Sequence, residues 1–228
     1  SNAEDLEREL DYYNIKEALV YHSISKEYDP YMGNNILLKE IEGHSRLHGM
    51  WVLNPDIIWE EQRLDEFINQ MIKLGVKTVR LFPKTHGYYL NRRTCGPLIE
   101  ELRRLNVPIF IDLAETSWKE IDEFLTQYPD IPLVVTQLSS WGDDRYFYPL
   151  LRDFRNLYLE FSFYRIMGGL KAIKDRFGVD QLVFGSGLPF YAAGGPINEI
   201  MYSELSFQEK QKIAYFNIKN LIEGVKNV

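Results

Sequence analysis

The sequence predicts an α/β fold built from repeated β/α units, and three observations lead to this prediction. Seven short segments have strand character, with the apolar residues expected of buried parallel strands. Their first residues are 24 to 31 residues apart, which is the length of one strand with its crossover helix. Apolar residues recur at helical spacing between them. The predicted strands are Ala18–Ile24, His48–Leu53, Lys77–Phe82, Pro108–Leu113, Leu133–Leu138, Leu157–Phe163 and Leu182–Gly187.

The predicted helices follow from apolar stripes and from residues that begin or end a helix. Two stripes with helical spacing are Leu64, Phe67, Ile68 and Met71, and Ile166, Leu170, Ile173 and Phe177. Gly75 follows the first stripe where a glycine cap is expected. The two pairs with the spacing of a capping box are Ser117 with Glu120 and Ser206 with Glu209. A further helix is predicted at Glu4–Tyr13, and we interpret residues 1–3 as the remainder of a cleaved expression tag.

Alternating strands and helices over this length allow either a (β/α)₈ barrel of the TIM type or an open, doubly wound sheet. No Gly-x-Gly-x-x-Gly follows the first predicted strand, and the sequence has no Gly-Lys-Ser/Thr phosphate loop. We therefore predict the barrel, as a single domain over residues 4–228. Seven strands are one fewer than such a barrel needs, so its first strand lies before this sequence or is absent.

Composition and charge limit the classes of function. The chain has 26 Lys and Arg against 33 Asp and Glu, and its net charge of −7 argues against a nucleic-acid or anionic-membrane surface. A small molecule or a protein partner remains. The single cysteine, Cys95, excludes an internal disulfide and a cysteine-based zinc site, and it fits the cytoplasm, which is the predicted location. No apolar run approaches the roughly 20 residues of a membrane helix.

The last predicted strand ends in a glycine-rich tip, Gly185-Ser186-Gly187. Active sites of β/α folds lie at the carboxyl ends of strands, and glycine lets the backbone approach a ligand closely. We therefore predict that Ser186 and Gly187 contact the substrate. The tip lacks the Gly-x-Ser-x-Gly pattern, so Ser186 is not predicted to be a nucleophile.

Three basic side chains lie at or just after predicted strand ends. His22 is either an acid/base group or a histidine that is hydrogen-bonded in the barrel mouth. Arg80 and His86 are placed to hold a substrate carboxylate, because the planar fork of arginine binds both carboxylate oxygens. The alternative for Arg80 is an ion pair with Asp112 or Glu160 that holds adjacent strands together.

Three carboxylates occupy similar positions. Asp112 and Glu115 lie at the end of the fourth predicted strand, and Glu160 lies within the sixth. An unpaired buried charge costs several kcal/mol, so each is either an acid/base group with a shifted pKa or a member of a structural ion pair. We interpret His44 and His48, near the amino end of a strand, as structural.

Four stretches carry a resemblance to a known family: Ala18–Ser25, Tyr28–Asn34, Val79–Tyr88 and Leu182–Pro189. In this order and spacing they resemble the amidohydrolase family of TIM-barrel hydrolases, and in particular its amidohydrolase-related branch of hydrolases, lactonases and decarboxylases. The resemblance implies a divalent metal held by two histidines on the first barrel strand, by histidines on the fifth and sixth, and by an aspartate that ends the eighth. Such a metal ionises a bound water near neutral pH.

The sequence departs from that ligand set at each position that can be compared. Asp112 stands in place of the fifth-strand histidine, Gln137 in place of the sixth-strand histidine, and Gly187 in place of the aspartate. Glycine offers no side-chain ligand, and an amide oxygen is a weak ligand for zinc. We therefore predict no bound metal and no other cofactor, although the resemblance itself implies a divalent ion such as zinc.

Together these observations predict an enzyme, a hydrolase that cleaves a small ester, lactone or amide without the family's metal. His22 and Asp112 are the predicted acid/base groups, and Arg80 or His86 holds an anionic substrate. The remaining predicted substrate contacts are Gln137, Glu160, Ser186 and Gly187. One alternative stays open, a catalytically degenerate barrel that binds a small molecule or a protein partner. The exposed strand edges of an incomplete barrel also suggest a homo-oligomer.

Overall fold

A computed structural model describes residues 2–60, 63–139 and 143–227 of the chain. Its Cα positions form two compact units, the first made of residues 1–109 and 225–228 and the second of residues 110–224. In both units short parallel strands alternate with helices, as the sequence predicts. None of the helices in the described part of the chain has the length and apolar character needed to cross a bilayer.

The first unit contains two pairs of parallel strands. β1 (Ala18–Val20) pairs with β2 (Leu47–Gly49), and β3 (Trp51–Val52) pairs with β4 (Val79–Leu81). The helices of this unit are α1 (Ala3–Tyr12), α2 (Ser23–Glu27), α3 (Pro30–Glu40), α4 (Ile57–Glu60), α5 (Leu64–Lys73) and α6 (Arg92–Arg104).

The second unit contains strands in the order β5-β6-β7-β8, of which β5 begins at the last residue of the first unit. They are β5 (Ile109–Asp112), β6 (Leu133–Thr136), β7 (Leu157–Glu160) and β8 (Leu182–Val183). The register aligns Leu133 with Leu157 and Leu159 with Leu182. The helices are α7 (Trp118–Gln127), α8 (Asp144–Asp153), α9 (Gly169–Phe177), α10 (Gly194–Met201), α11 (Phe207–Gln211) and α12 (Asn217–Glu223), and a π turn (Lys212–Phe216) joins the last two.

All seven predicted strands are confirmed, but each is shorter than its apolar run. The run at residues 48–53 is interrupted at Met50 and forms the two strands β2 and β3. β6 is buried along its whole length, and it ends at Thr136 because Gln137 has a positive φ of 55°. Such a conformation turns the backbone out of the extended region, so the apolar residue Leu138 lies outside the ladder.

The helix predictions are confirmed in part. Gly75 follows α5 with a φ of 85°, and Ser206 with Glu209 forms a complete capping box. Ser117 caps α7, but the Glu120 carboxylate accepts hydrogen bonds from the hydroxyls of Thr116 and Ser117. The predicted stripe that begins at Ile166 is wrong at that residue. Gly168 is left-handed, with a φ of 69°, so α9 begins only at Gly169.

The amino-terminal helix begins at Ala3, one residue before the predicted start. The Asp5 N–H donates to the side-chain oxygen of Asn2 at 2.8 Å, and Ala3 is buried. Residues that we interpret as a tag remainder therefore take part in helix α1.

In the stretch Tyr28–Asn34, the residue Asn34 of α3 has a structural role. Its side-chain oxygen accepts from the Val52 N–H at 3.0 Å, and its side-chain nitrogen donates to the Val52 carbonyl at 2.8 Å. The Ser25 hydroxyl reaches the same Asn34 oxygen at 3.2 Å. A side-chain carbon at Gly33 would lie 2.2 Å from the Ser25 hydroxyl, so a glycine is needed for the close approach of α2 and α3. These residues hold the helices against β3.

Candidate active site

In the second unit, two hydrogen-bond donors meet the carboxylate of Asp112 at the end of β5. Asp112 is 1% exposed. The Thr136 hydroxyl donates to one carboxylate oxygen, and the Gln137 side-chain amide donates to the other at 3.2 Å. The structure thus brings together two predicted site residues, Asp112 and Gln137. Donors on both oxygens fix the orientation of this carboxylate.

Glu160, at the end of β7, is held by a neighbour in its own loop. The Ser162 N–H donates to one carboxylate oxygen at 2.6 Å, and the Ser162 hydroxyl donates to the other at 2.9 Å. A side-chain carbon at Gly185 would lie 2.2 Å from a Glu160 carboxylate oxygen. The glycine at position 185 therefore makes room for a carboxylate of this chain, a role that the sequence did not indicate.

The tip after β8 is a tight turn. Gly187 has a φ of 74°, which favours glycine, and the Leu188 N–H donates to the Ser186 hydroxyl oxygen at 3.2 Å. The ring of Tyr191 packs edge-on against that of Phe163, with ring centroids 4.8 Å apart. Ser186 and Gly187 thus have a structural role in the turn, and their predicted contact with substrate stays a prediction.

The loop after β7 is anchored by a buried tyrosine. The Tyr164 hydroxyl donates to the Asp144 carboxylate at 2.9 Å. Burial, followed by this hydrogen bond, raises the pKa of Tyr164 well above its ordinary range. Tyr164 is therefore a neutral donor at physiological pH, and it connects this loop to α8.

In the first unit, His22 is the N-cap of α2. Its Nδ1 accepts from the Ile24 N–H at 3.2 Å, and its Nε2 lies 3.7 Å from a carboxylate oxygen of Glu40. Because Nδ1 serves as an acceptor, Nε2 is the nitrogen that carries the proton in the neutral ring. The cap is a structural role, and the predicted acid/base role of His22 would have to use Nε2.

Two cations lie on the ring of Phe82, just after β4. The Lys26 ammonium is 4.7 Å and the Arg80 guanidinium carbon is 5.6 Å from the ring centroid. The Arg80 guanidinium also lies 5.1 Å from the centroid of Tyr21. His86 donates from Nε2 to the Lys26 carbonyl at 2.9 Å, and its ring is 5.9 Å from that of Phe82. Arg80 and His86, both predicted anion-binding residues, therefore share one aromatic centre, which we call the Phe82 cluster (Tyr21, Lys26, Arg80, Phe82 and His86).

Sequence reasoning missed several residues of these arrangements, among them Thr136, Ser162 and Lys26. Thr136 and Ser162 hold the two carboxylates, and Lys26 adds a second cation to the Phe82 cluster. Thr136 precedes Gln137 at the end of an apolar run, and Lys26 follows His22 by one helical turn. Thr136 could have been found from its place next to Gln137. Lys26 could have been found because side chains one helical turn apart share a helix face.

The metal ligands implied by the family resemblance have no equivalent among these residues. Within residues 2–60, 63–139 and 143–227, no three His, Cys, Asp or Glu side chains are grouped so that they could hold a metal ion. Both oxygens of Asp112 accept hydrogen bonds, and the Gln137 amide points a donor at Asp112. Position 187 has no side chain. This donor set does not fit a catalytic transition metal.

A groove of about 540 Å³ lies at the amino ends of β1 and β2, away from the strand ends described above. Arg46 lines it, donating to the Ile15 carbonyl at 2.6 Å, to the Lys16 carbonyl at 2.8 Å and to the Asp11 carboxylate at 2.6 Å. The amino-terminal face of such folds is associated with stability, and these contacts fit that role.

Comparison with known proteins places these observations in a family. A model of the amidohydrolase family matches residues 33–221. No curated protein matches the sequence. Many solved structures are similar to the chain, among them the following three.

An uncharacterized TIM-barrel protein from Bordetella bronchiseptica has a TM-score of 0.74 at 16% identity, over 97% of this chain and 83% of that chain. The 2,6-dihydroxybenzoate decarboxylase from Rhizobium has a TM-score of 0.71 at 12% identity, over 98% and 88%. The 5-carboxyvanillate decarboxylase from Novosphingobium aromaticivorans, complexed with manganese and 4-hydroxy-3-methoxy-5-nitrobenzoic acid, has a TM-score of 0.73 at 15% identity, over 96% and 79%. These likenesses show the TIM-barrel fold, and the family match shows that the chain belongs to the amidohydrolase family.

Proposed function

We propose that this chain is a hydrolase for a small, anionic ester, lactone or amide, and that it works without a bound transition metal. The observation that carries the proposal is the Phe82 cluster, in which Lys26 and Arg80 lie on one aromatic ring. Two cations near one ring favour an anion between or beside them, and the planar fork of Arg80 suits a carboxylate. Membership of the amidohydrolase family supports the reaction class.

The similar decarboxylases support the choice of an anionic substrate. Their names specify a dihydroxybenzoate and a carboxyvanillate, which are small aromatic carboxylates. An aromatic acid would suit a cluster that contains both cations and the rings of Tyr21 and Phe82. Aromatic carboxylates are therefore the first probes for binding.

The proposed chemistry uses residues of the chain alone. A base takes a proton from water as the oxygen attacks the substrate carbonyl carbon, and the bond to the alcohol or amine leaving group then breaks as that group gains a proton. Asp112, with fixed orientation, is the proposed base, and Nε2 of His22 is the proposed proton donor. The proposal that no metal takes part rests on the unsuitable donor set at Asp112, Gln137 and Gly187.

A matched pair of esters tests the anionic preference. The carboxylate-bearing mono-para-nitrophenyl glutarate is compared with neutral para-nitrophenyl valerate. Lys26→Met and Arg80→Met should each raise KM for the charged ester about tenfold and leave KM for the neutral ester unchanged, because each removes one charge-assisted contact. Lys84→Met, which removes an exposed lysine from the same loop, is the control. An equal rise in KM for both esters would contradict the role of Lys26 and Arg80 in binding the substrate carboxylate.

The acid/base roles and the absence of a metal have separate tests. Asp112→Asn and His22→Gln should each lower kcat at least about a hundredfold. Treatment with a chelator should leave turnover unchanged. Stoichiometric zinc or manganese in the active protein would overturn the metal-free mechanism, and full activity in both variants would overturn the roles.

A second candidate function is binding without catalysis. The observation that favours it is that Asp112 and Glu160 each have both carboxylate oxygens in hydrogen bonds to residues of this chain. Isothermal titration with 2,6-dihydroxybenzoate, together with the ester panel, separates the two functions. Binding that is weakened by Arg80→Met, with no turnover of any ester, would favour the binding module.

A further inference from the structure

The outer side of β8 needs hydrogen-bond partners that none of the strands in the described part of the chain supplies. In a parallel sheet, alternate residues direct their backbone groups to opposite neighbours. The Leu159 N–H donates to the Gln181 carbonyl at 2.8 Å, so the groups of Leu182 and Phe184 face away from β7. β8 is the last strand in the sheet order, and no strand within the described ranges pairs with that side.

The carboxyl-terminal helical segment supplies these partners. The Phe184 N–H donates to the Ile213 carbonyl at 3.0 Å. The side-chain nitrogen of Asn217 donates to the Leu182 carbonyl at 2.7 Å and to the Val179 carbonyl at 2.8 Å. Asn217 is 7% exposed. If its amide were removed, water would therefore not reach the two carbonyls to donate in its place.

The π turn is what makes the Ile213 carbonyl available. In an α-helix this carbonyl would accept from the N–H of Asn217, four residues later. Here the Asn217 N–H donates instead to the Lys212 carbonyl, five residues back. The ladder therefore skips Ile213, and its carbonyl is left to accept from Phe184. Single π turns of this kind occur often at functional sites.

Two ion pairs hold the same segment in place. Lys212 lies 2.6 Å from the carboxylate of Asp180, just before β8, and Lys174 of α9 lies 3.2 Å from that of Glu209. The capping box of Ser206 and Glu209 fixes where α11 begins. The segment from Ser206 to Glu223 is therefore attached at several points along its length, to α9 and to the residues in and around β8.

We propose that Asn217 and the π turn are positioning elements that set where the chain leaves β8. Phe184, held by Ile213, directly precedes Gly185, where even one added side-chain carbon would lie 2.2 Å from a Glu160 carboxylate oxygen. The hydrogen bonds on one side and Glu160 on the other therefore fix the start of the tip Gly185–Gly187. The relevance of this positioning to catalysis rests on the proposed function, in which the tip contacts substrate.

Amide hydrogen exchange, read by mass spectrometry on the whole protein, tests the proposal. Asn217→Asp keeps the size of the side chain and removes both donors. We expect exchange at Phe184–Leu188 to accelerate about tenfold, while β6 and β7 exchange as in the unchanged protein. The control is Asn220→Asp, an exposed asparagine on the same helix, which should leave the tip unchanged.

Two results would overturn the proposal. Unchanged exchange at the tip would show that Asn217 does not hold it, and equal acceleration in all strands would show that it acts only through global stability. If Asn217→Asp does not fold, Asn217→Ser, which retains one donor, is measured with a smaller acceleration expected. Because no ligand is used, the result is independent of whether the proposed hydrolase activity is found.

Discussion

Cys95 is a buried thiol whose reactivity reports on folding. It is 1% exposed and donates to the Tyr89 carbonyl at 3.4 Å. Burial raises the pKa of this thiol from 9.0 to about 11. Since only the thiolate reacts with alkylating agents, the reactive fraction at pH 8 is about a hundredfold smaller than in the unfolded chain.

We therefore expect iodoacetamide at pH 8 to modify Cys95 only as fast as the protein opens. The rate should rise with urea in parallel with the loss of circular dichroism. Because the folded-state pKa is the higher one, the thiol's contribution to stability is present below pH 9 and is lost as the pH rises to about 11. Rapid modification of the fully folded protein would contradict this burial.

Gly185 is the position at which a single methyl group should have the clearest local effect. Its side-chain carbon would lie 2.2 Å from a carboxylate oxygen of Glu160 and 2.3 Å from the carboxylate carbon. Gly185→Ala should lower the free energy of unfolding by about 1–3 kcal/mol, as overpacking does. Urea denaturation would measure this change. Gly96→Ala is the control, because an added side-chain carbon at Gly96 would lie 3.4 Å from the nearest atom, in the side chain of Arg92.

A double variant shows whether the overlap is the cause. Glu160→Ala removes the carboxylate, so adding Gly185→Ala to it should cost much less than Gly185→Ala alone. If Gly185→Ala lowers the free energy of unfolding equally with and without Glu160→Ala, the destabilisation comes from backbone conformation and not from the overlap.

Single residues also show how far the site could be predicted. Asp112 and Glu160 stand out in sequence because each is a carboxylate in an apolar run. The hydroxyls that hold them, on Thr136 and Ser162, do not stand out, since such residues are common at strand ends. Which hydroxyl reaches a carboxylate depends on local backbone geometry, such as the positive φ of Gln137, and on pairing between strands.

At the scale of elements, α1 and the segment after it are attached to β2 and the residues before it by one ion pair and two histidine–carboxylate contacts. His44 lies 2.9 Å from Glu7, Arg46 lies 2.6 Å from Asp11, and His48 lies 2.8 Å from Glu17. The interpretation of His44 and His48 as structural fits these contacts. Arg46 makes the most of them, because it also donates to two backbone carbonyls.

We expect Arg46→Met to loosen this attachment. The variant leaves the Ile15 and Lys16 carbonyls without their charged donor, which should cost about 2–3 kcal/mol in the free energy of unfolding and speed amide exchange in residues 3–20. Arg8→Met, which removes only an exposed pair with Asp5, is the matched control. Equal stability of the two variants would show that Arg46 does not anchor α1.

The elements differ in how well sequence defines them. The apolar runs predict where the strands lie, because a strand that is buried on both faces is recognisable in the sequence as a continuous apolar segment. The predicted carboxyl ends of the strands lie beyond the observed ends. The reason is that strand pairing stops where the backbone turns, even when apolar residues continue. Ile166 has the spacing of the α9 stripe, yet left-handed Gly168 excludes it from the helix.

At the scale of the whole molecule, charge makes the simplest prediction. The net charge of −7 should give retention on an anion exchanger at pH 7 and none on heparin, a polyanion that mimics nucleic acid. Both columns are run at low salt, where electrostatic binding is strongest. Retention on heparin would reveal a basic surface and would reopen nucleic acid as a partner.

The family and the local chemistry have to be judged separately on this molecule. The order of strands and the match over residues 33–221 identify the fold and the family. The residues at the strand ends determine what chemistry is available, and at Asp112, Gln137 and Gly187 they differ from the implied ligands. A fold supports many activities, so the reaction has to be argued from the side chains.

The side chain of Asn34 restricts which sequences this fold accepts. It gives the Val52 backbone one acceptor and one donor at once, at 3.0 and 2.8 Å, while it is almost fully buried. Aspartate has no donor, leucine has neither group, and glutamine places its amide one carbon further out. Position 34 should therefore accept few residues other than asparagine, and its tolerance to mutation should be as low as that of a ligand-binding residue.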